Sequence, residues 1–180
     1  MQTVKMVVTG PFAAGKTEFI RTISEIDVVS TERKISSDAE RIKDQTTVAM
    51  DFGRITVDEE LVLYLFGTPG QKRFDFMWEI LSEGMLGFIV IVDSSRPETF
   101  REARGILDTF RGYAETPYVI AANKQDHEDA WSPDDLRIAL KISKDIKVLP
   151  CVANDKDMVK GVLLELLYSI LETMDLESAS

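Results

Sequence analysis

Short apolar runs recur along the chain, separated by longer polar stretches. VKMVV (4–8), LVLYLF (61–66), MLGFIVIVD (85–93), PYVIAANK (117–124) and IKVLPCVA (146–153) are runs of five to nine residues, rich in β-branched side chains. Continuous apolar runs of this length predict strands buried on both faces. Thr47–Val57 alternates instead and predicts a strand with one wet face. Helical periodicity marks Gly15–Ser24, a short helix within Gly67–Glu83, Pro97–Tyr113, a segment opening at Ser132–Pro133, and Asp155–Met174. Pro97 suits a first helical turn. Val28–Gln45 is polar and weakly periodic, and predicts a long loop. Asp58, Glu59 and Glu60 form so short a turn that the strands flanking it are expected to be antiparallel neighbours.

Elsewhere strand and helix alternate, which implies right-handed crossovers and a parallel sheet with helices on both faces. The expectation is an α/β, three-layer fold. Its sheet is mostly parallel and six-stranded with one antiparallel strand, over a single domain at 1–175 and a frayed tail at 176–180. The length of 180 residues is ample for one core.

The first strand runs into Gly10-Pro11-Phe12-Ala13-Ala14-Gly15-Lys16-Thr17. This fits G-x-x-x-x-G-K-[ST], the phosphate loop, in its confirming context of a strand before and a helix after. The glycines let the backbone curl until several N–H groups face one anion, and the helix behind adds its positive end. Lys16 is a point charge for the outer phosphates, and the Thr17 hydroxyl is a magnesium ligand. A chance strand–Gly–helix turn is the bland alternative, and the spacing disfavours it.

The run VIAANKQDHED places Asn123-Lys124-Gln125-Asp126 at a strand's carboxyl end, where open α/β sheets bind ligands. The Asp126 carboxylate suits the N1 and 2-amino donors of guanine. Adenine would leave polar groups unpaired there, and such mismatches discriminate strongly. Asn123 is expected to fix the loop and read the base's other edge, and the Lys124 stem to lie over the base plane. Val152 and Ala153, in PCVAND, are read as nucleotide contacts, with the Ala153 N–H on the guanine carbonyl; the bland reading is a small residue at a strand end.

With both motifs present, the chain resembles the Ras-like small GTPases from Val4 to about Leu171. GPFAAGKT, TTVAMDFG and LFGTPGQKRF look more specifically like the prokaryotic branch related to gliding-motility GTPases of the Mgl type, whose members work beside roadblock-type regulators. The resemblance implies a P-loop NTPase fold, GTP and GDP as ligands with Mg2+, and two loops that sense the third phosphate. Thr47 falls where the first loop supplies a threonine to magnesium, with Thr46 a near alternative. Gly70 would offer its N–H to the γ-phosphate, and Gln71 would orient the attacking water.

Two departures from the family pattern bear on chemistry. The second loop of the family carries D-x-x-G-Q, whose aspartate holds magnesium through a water; here Gly67 occupies that position. Losing such a group typically costs about 10- to 100-fold in metal affinity or activity. Phe12 stands where many members have glycine, and its ring would crowd an arginine entering from a partner, a contact worth about 10³–10⁵ in rate. Arg54 and Arg73 are candidates for an arginine supplied in the chain itself, though solvated surface arginines are the plainer reading. The implied activity is a switch with slow intrinsic GTP hydrolysis, signalling to effectors through its loops. A GTP-binding scaffold without hydrolysis and a small ATP-dependent kinase or ATPase are the rivals.

Phe74, Phe76, Met77 and Trp78 are a dense apolar group divided between core and partner surface. The formal charge of −10 argues against nucleic acid and against an anionic membrane surface as partners. Cys151 is the only cysteine and is expected to be a buried, inert thiol; His127, the only histidine, follows Asp126 in a polar loop and is expected to be solvated. Asp93 is expected to cap a strand end. The termini show neither a signal peptide nor a lipidation box, so the expectation is a cytoplasmic protein with no membrane anchor of its own.

Overall fold

The computed structural model describes residues 1–30, 33–35, 46–48, 50–69 and 75–179. Its main sheet holds β1 (Gln2–Thr9), β2 (Val29–Ser30), β5 (Asp51–Asp58), β6 (Leu61–Gly67), β7 (Gly87–Asp93), β8 (Tyr118–Asn123) and β9 (Val148–Pro150), in the order β2-β5-β6-β1-β7-β8-β9. The helices are α1 (Lys16–Ile23), α2 (Phe76–Ser82), α3 (Phe100–Tyr113), α4 (Pro133–Ala139) and α5 (Lys156–Ala179), with a 3₁₀ turn at Pro97–Thr99. The six long-range strands expected from the sequence are present, parallel except for β5, which runs antiparallel to β6. The two-residue β2 adds a short antiparallel seventh at the β5 edge.

Strand alternation explains why helices cover both faces. Side chains two apart on β1, Val4, Met6 and Val8, join Ile89 and Ile91 of β7 and Val119 and Ala121 of β8 in one cluster, capped by Phe19 and Ile20 of α1 and by the Val162–Leu166–Ile170 face of α5. The intervening side chains, Val7, Phe88, Val90, Val92, Ile120 and Ala122, form the opposite cluster with Trp78 of α2, Ile106, Leu107 and Phe110 of α3, and Leu136 of α4. This is the three-layer arrangement, and it explains the continuous apolar reading of β7, every residue of which is buried.

Three segments differ from the sequence expectation. Within Val28–Gln45 the chain forms β2 and a short strand β3 (Arg33–Ile35), which pairs antiparallel with β4 (Thr46–Val48) in a separate two-stranded sheet. The alternating run Thr47–Val57 is therefore divided between two sheets. Strands of two or three residues are too short to carry a periodicity. Finally, α5 runs through Ala179 rather than ending near Met174, there being no glycine or proline to stop it.

The strand order reverses at β1, which lies between β6 on one side and β7 on the other. Such a switch point leaves a crevice beyond the carboxyl end of the strand. Because β5 is antiparallel, its first residue, Asp51, lies at that same end, opposite Gly67.

Candidate functional site

Two adjoining cavities occupy the crevice. One, of about 380 Å³, is walled by Phe12, Ala13, Lys16, Thr17, Arg21, Asp51, Thr68 and Pro69. The other, of about 310 Å³, is walled by Asn123, Lys124, Asp126, Val152, Ala153 and Asn154. Gly15 and Glu18 belong to both, so the two adjoin there.

The loop Gly10–Gly15 is shaped by contacts that leave no room for side chains. Gly10 has φ 147°, and a Cβ there would fall 2.2 Å from the Ile91 carbonyl oxygen. Gly15 caps α1 with φ 110°, and a Cβ there would fall 2.3 Å from Asn123 Nδ2. Ala13 also lies in the left-handed region at φ 63°. The loop curls around Lys16, whose Nζ donates to the carbonyls of Gly10 at 2.7 Å and Pro11 at 2.9 Å. Burial pushes the Lys16 ammonium down to about 8, while Glu102 and Asp51 pull it upward. A positive head held in this way at the mouth of α1 is suited to phosphate oxygens.

Beside it, Thr17 Oγ1 donates to Asp51 Oδ2 at 2.5 Å. Sequence pattern alone gives Asp51 no special place. It is brought to Thr17 by strand register, which no local motif reports. Thr68, also missed, is buried and donates to Thr9 Oγ1 at 2.8 Å, fixing the segment that leaves β6. Oxygen donors of this kind, a hydroxyl and a carboxylate, fit a hard divalent cation that is also held by phosphates. No group of three or more His, Cys, Asp or Glu converges among the described residues.

At the other end, Asn123 is buried, and both ends of its side-chain amide meet backbone. Its Nδ2 donates to Ala14 O at 2.8 Å, and its Oδ1 accepts from Ala153 N at 2.9 Å. Asn123 therefore ties the phosphate loop to the strand-β9 exit. The Ala153 N–H expected to meet a base carbonyl is engaged by Asn123 in this arrangement. Lys124 adopts φ 63°, which turns the chain out of β8, and its Nζ lies 3.4 Å from Asp93 Oδ2. Asp93 also accepts from Ser95 N and Oγ at 3.0 and 2.6 Å, a strand-end cap. Gln125 Nε2 donates to Ser94 Oγ and Trp131 O, which holds the loop so that Asp126 lies exposed on the cavity wall. Cys151 is buried beside this site, its thiol pushed up to about 12 by burial and by Asp155.

Of the loop residues, Thr47 lies in β4 with its backbone opposite Lys34. Gly70, Gln71, Arg73 and Phe74 lie outside the described residues. Arg54 does not reach the phosphate cavity: it sits three residues into β5, opposite Tyr64, with Nε 3.7 Å from Glu25 Oε1. Phe12 is 63% exposed at the rim. Trp78 is buried, its Nε1 donating to Pro69 O at 3.1 Å, whereas Phe76 and Ile80 on the same helix are exposed. No helix among the described residues is long and apolar enough to cross a membrane.

The family model described as "conserved hypothetical ATP binding protein" matches residues 27–180. An uncharacterized protein of Methanocaldococcus jannaschii is 33% identical over 126 residues, 70% of this chain and 73% of that protein. Ras-related protein RABA6b of Arabidopsis thaliana is 28% identical over 68% of this chain, which spans about half (50%) of that protein. ADP-ribosylation factor-like protein 4C of Homo sapiens is 27% identical over 69% of this chain and 62% of that protein. The phosphate loop lies ahead of the family match, so the match is carried by the rest of the fold, from β2 through α5. The chain belongs to the family described as conserved hypothetical ATP binding proteins, and its wider relatives are Ras-, Rab- and Arf-like small GTPases.

Proposed function

We propose that the chain is a guanine-nucleotide-binding switch that hydrolyses GTP slowly to GDP and phosphate. One observation carries the reading: two adjoining cavities hold Lys16 and Thr17 on one side of Gly15 and the Asp126 carboxylate on the other. Asp126 selects guanine by accepting from N1 and the 2-amino group. Asn123 and Gly15 shape the cradle between base and phosphates. Lys16 binds the outer phosphate oxygens and stabilises the charge that develops on them. Thr17 and Thr47 would hold magnesium, which when bound supplies positive charge to the β- and γ-phosphates. Gln71 orients a water for in-line attack on the γ-phosphorus, and Gly70 donates to a γ-oxygen. Intrinsic turnover is slow, because the chain supplies no obvious arginine finger. Placement in the Mgl-type branch, with a roadblock-type regulator, effectors at the two loops and a cytoplasmic setting, completes the proposal.

Adenine specificity is the second reading, favoured by the family's description as ATP binding. Competition of ATP and GTP against a fluorescent guanine nucleotide separates the two. Guanine selectivity that disappears in Asp126→Ala supports the proposal, and equal or better displacement by ATP overturns it. Single-turnover hydrolysis tests the switch: GTP consumed slowly by the wild type and stalled in Gln71→Ala is the expected result. GTP left intact in both would leave a nucleotide-holding scaffold.

A further inference from the structure

We propose that Asp51 supplies the metal-site carboxylate that position 67 lacks, joining Thr17 and Thr47 at the magnesium. The inference rests on the nucleotide reading above and deepens it.

The two positions are direct partners across the antiparallel β5–β6 ladder. A Cβ built on Gly67 would lie 3.2 Å from Asp51 Cβ and 3.5 Å from Asp51 Oδ2. Directly opposed Cβ atoms normally stand about 4.5–5.5 Å apart. The ladder is therefore too close here for two side chains, whereas Ile20 Cδ1, 2.9 Å from the same point, is the free end of a side chain that can shift. Glycine at 67 is what lets Asp51 lean over the ladder. Its carboxylate then occupies the region into which an aspartate at 67 would project.

The carboxylate is aimed, not merely nearby. Its Oδ2 accepts the hydroxyl proton of Thr17, the residue next to the phosphate lysine, and both face the phosphate cavity. A divalent ion taking the Thr17 oxygen as ligand would find the carboxylate within reach, directly or through one water. The exchange also moves the acid to a different part of the chain. An aspartate at 67 would be continuous with 68–74, whereas Asp51 follows β4 by three residues and so is continuous with the segment that carries Thr47.

The test follows release of a fluorescent GDP from the purified protein across a magnesium titration and in EDTA, for wild type, Asp51→Asn and the exchange variant Asp51→Gly/Gly67→Asp. Only folded, loaded protein gives signal, so the ratio of the two rates within each variant is unaffected by partial misfolding. The wild type should release nucleotide more slowly in magnesium. In Asp51→Asn the magnesium concentration giving half the slowing should rise about 10- to 100-fold, with the EDTA rate nearly unchanged. The exchange variant should recover most of that loss. A magnesium dependence identical in wild type and Asp51→Asn overturns the proposal, as does loss of nucleotide retention equally in magnesium and EDTA, which would make Asp51 a structural residue. Failure of the wild type to bind guanine nucleotide in either condition would instead strike the functional reading beneath it.

Discussion

Lys124 and Asp93 meet across the carboxyl ends of β7 and β8, Nζ to Oδ2 at 3.4 Å, with Asp93 buried and Lys124 turned back through a left-handed backbone. The pair joins the base loop to the sheet. Burial pushes the Asp93 carboxyl up, but hydrogen bonds from Ser95 and the Lys124 charge outweigh it and hold the group below its ordinary value of 3.8. A depressed carboxyl contributes stability that is present above its unfolded pKa and is lost as pH falls through the folded one. Asp93→Asn should therefore lower stability at neutral pH, and the difference from wild type should shrink below about pH 3.8. Urea melts of both proteins at pH 7 and at pH 3 check this. Nucleotide affinity should fall as well, because Lys124 loses its anchor.

Gly15→Ala should damage the site more than any surface change. The added methyl meets Asn123 Nδ2 at 2.3 Å and the backbone has φ 110°, so strain alone costs roughly 1–3 kcal/mol. Asn123→Ala removes the clashing group but leaves Ala14 O and Ala153 N–H unpaired, at about 1–3 kcal/mol. The double variant should be less destabilised than the sum of the singles, because the second change removes what the first collides with. Thermal melts of the four proteins measure the coupling.

Cys151 should be unreactive while the protein is folded. Its thiol is fully buried and held protonated to about pH 12. A disulfide-exchange reagent at pH 8 should label it only as fast as the chain opens, and at once in urea. The same shift has a sign in stability. The unfolded thiol ionises near 9 and the folded one near 12, so unfolding releases a proton between them and stability falls by about 1.4 kcal/mol per pH unit above 9. Cys151→Ala should lose less stability than wild type between pH 8 and 10.5.

Phe110 and Phe12 are contrasting aromatic positions. Phe110 is fully buried against Trp78, Phe88 and Tyr113, with ring centroids 5.3–5.7 Å away. Phe110→Ala should cost about 3–5 kcal/mol. Phe12 is 63% exposed, and Phe12→Ala should stay within about 0.5 kcal/mol of wild type. Chemical denaturation distinguishes the two outcomes directly.

The features legible in the sequence were those written in local patterns. The buried runs of β1, β7 and β8, the helix after Pro97, the Ser132 cap of α4 and the phosphate loop all depend on neighbours within a few residues. Features set by pairing were not legible. An alternating run such as Thr47–Val57 says that the chain is extended but not which partner each half takes, and here β4 and β5 belong to different sheets. Asp51 gains its place only from the register that sets it opposite Gly67. The sequence offers Asn123 as a candidate site residue, but the contact of both ends of its amide with backbone follows from how β8, β9 and the phosphate loop converge.

The Asn123 amide also sets an order of events in synthesis. It grips Ala14, 109 residues earlier in the chain, and Ala153, 30 residues later. A nascent chain that has emerged only as far as the first helix carries the complete phosphate motif but lacks the clamp that gives the motif its shape. Contacts of such long range form late, after the loop-closure entropy between them has been met. Tight grip on nucleotide should therefore arise only once the last strand has left the ribosome and docked, and fragments ending before Ala153 should not retain it.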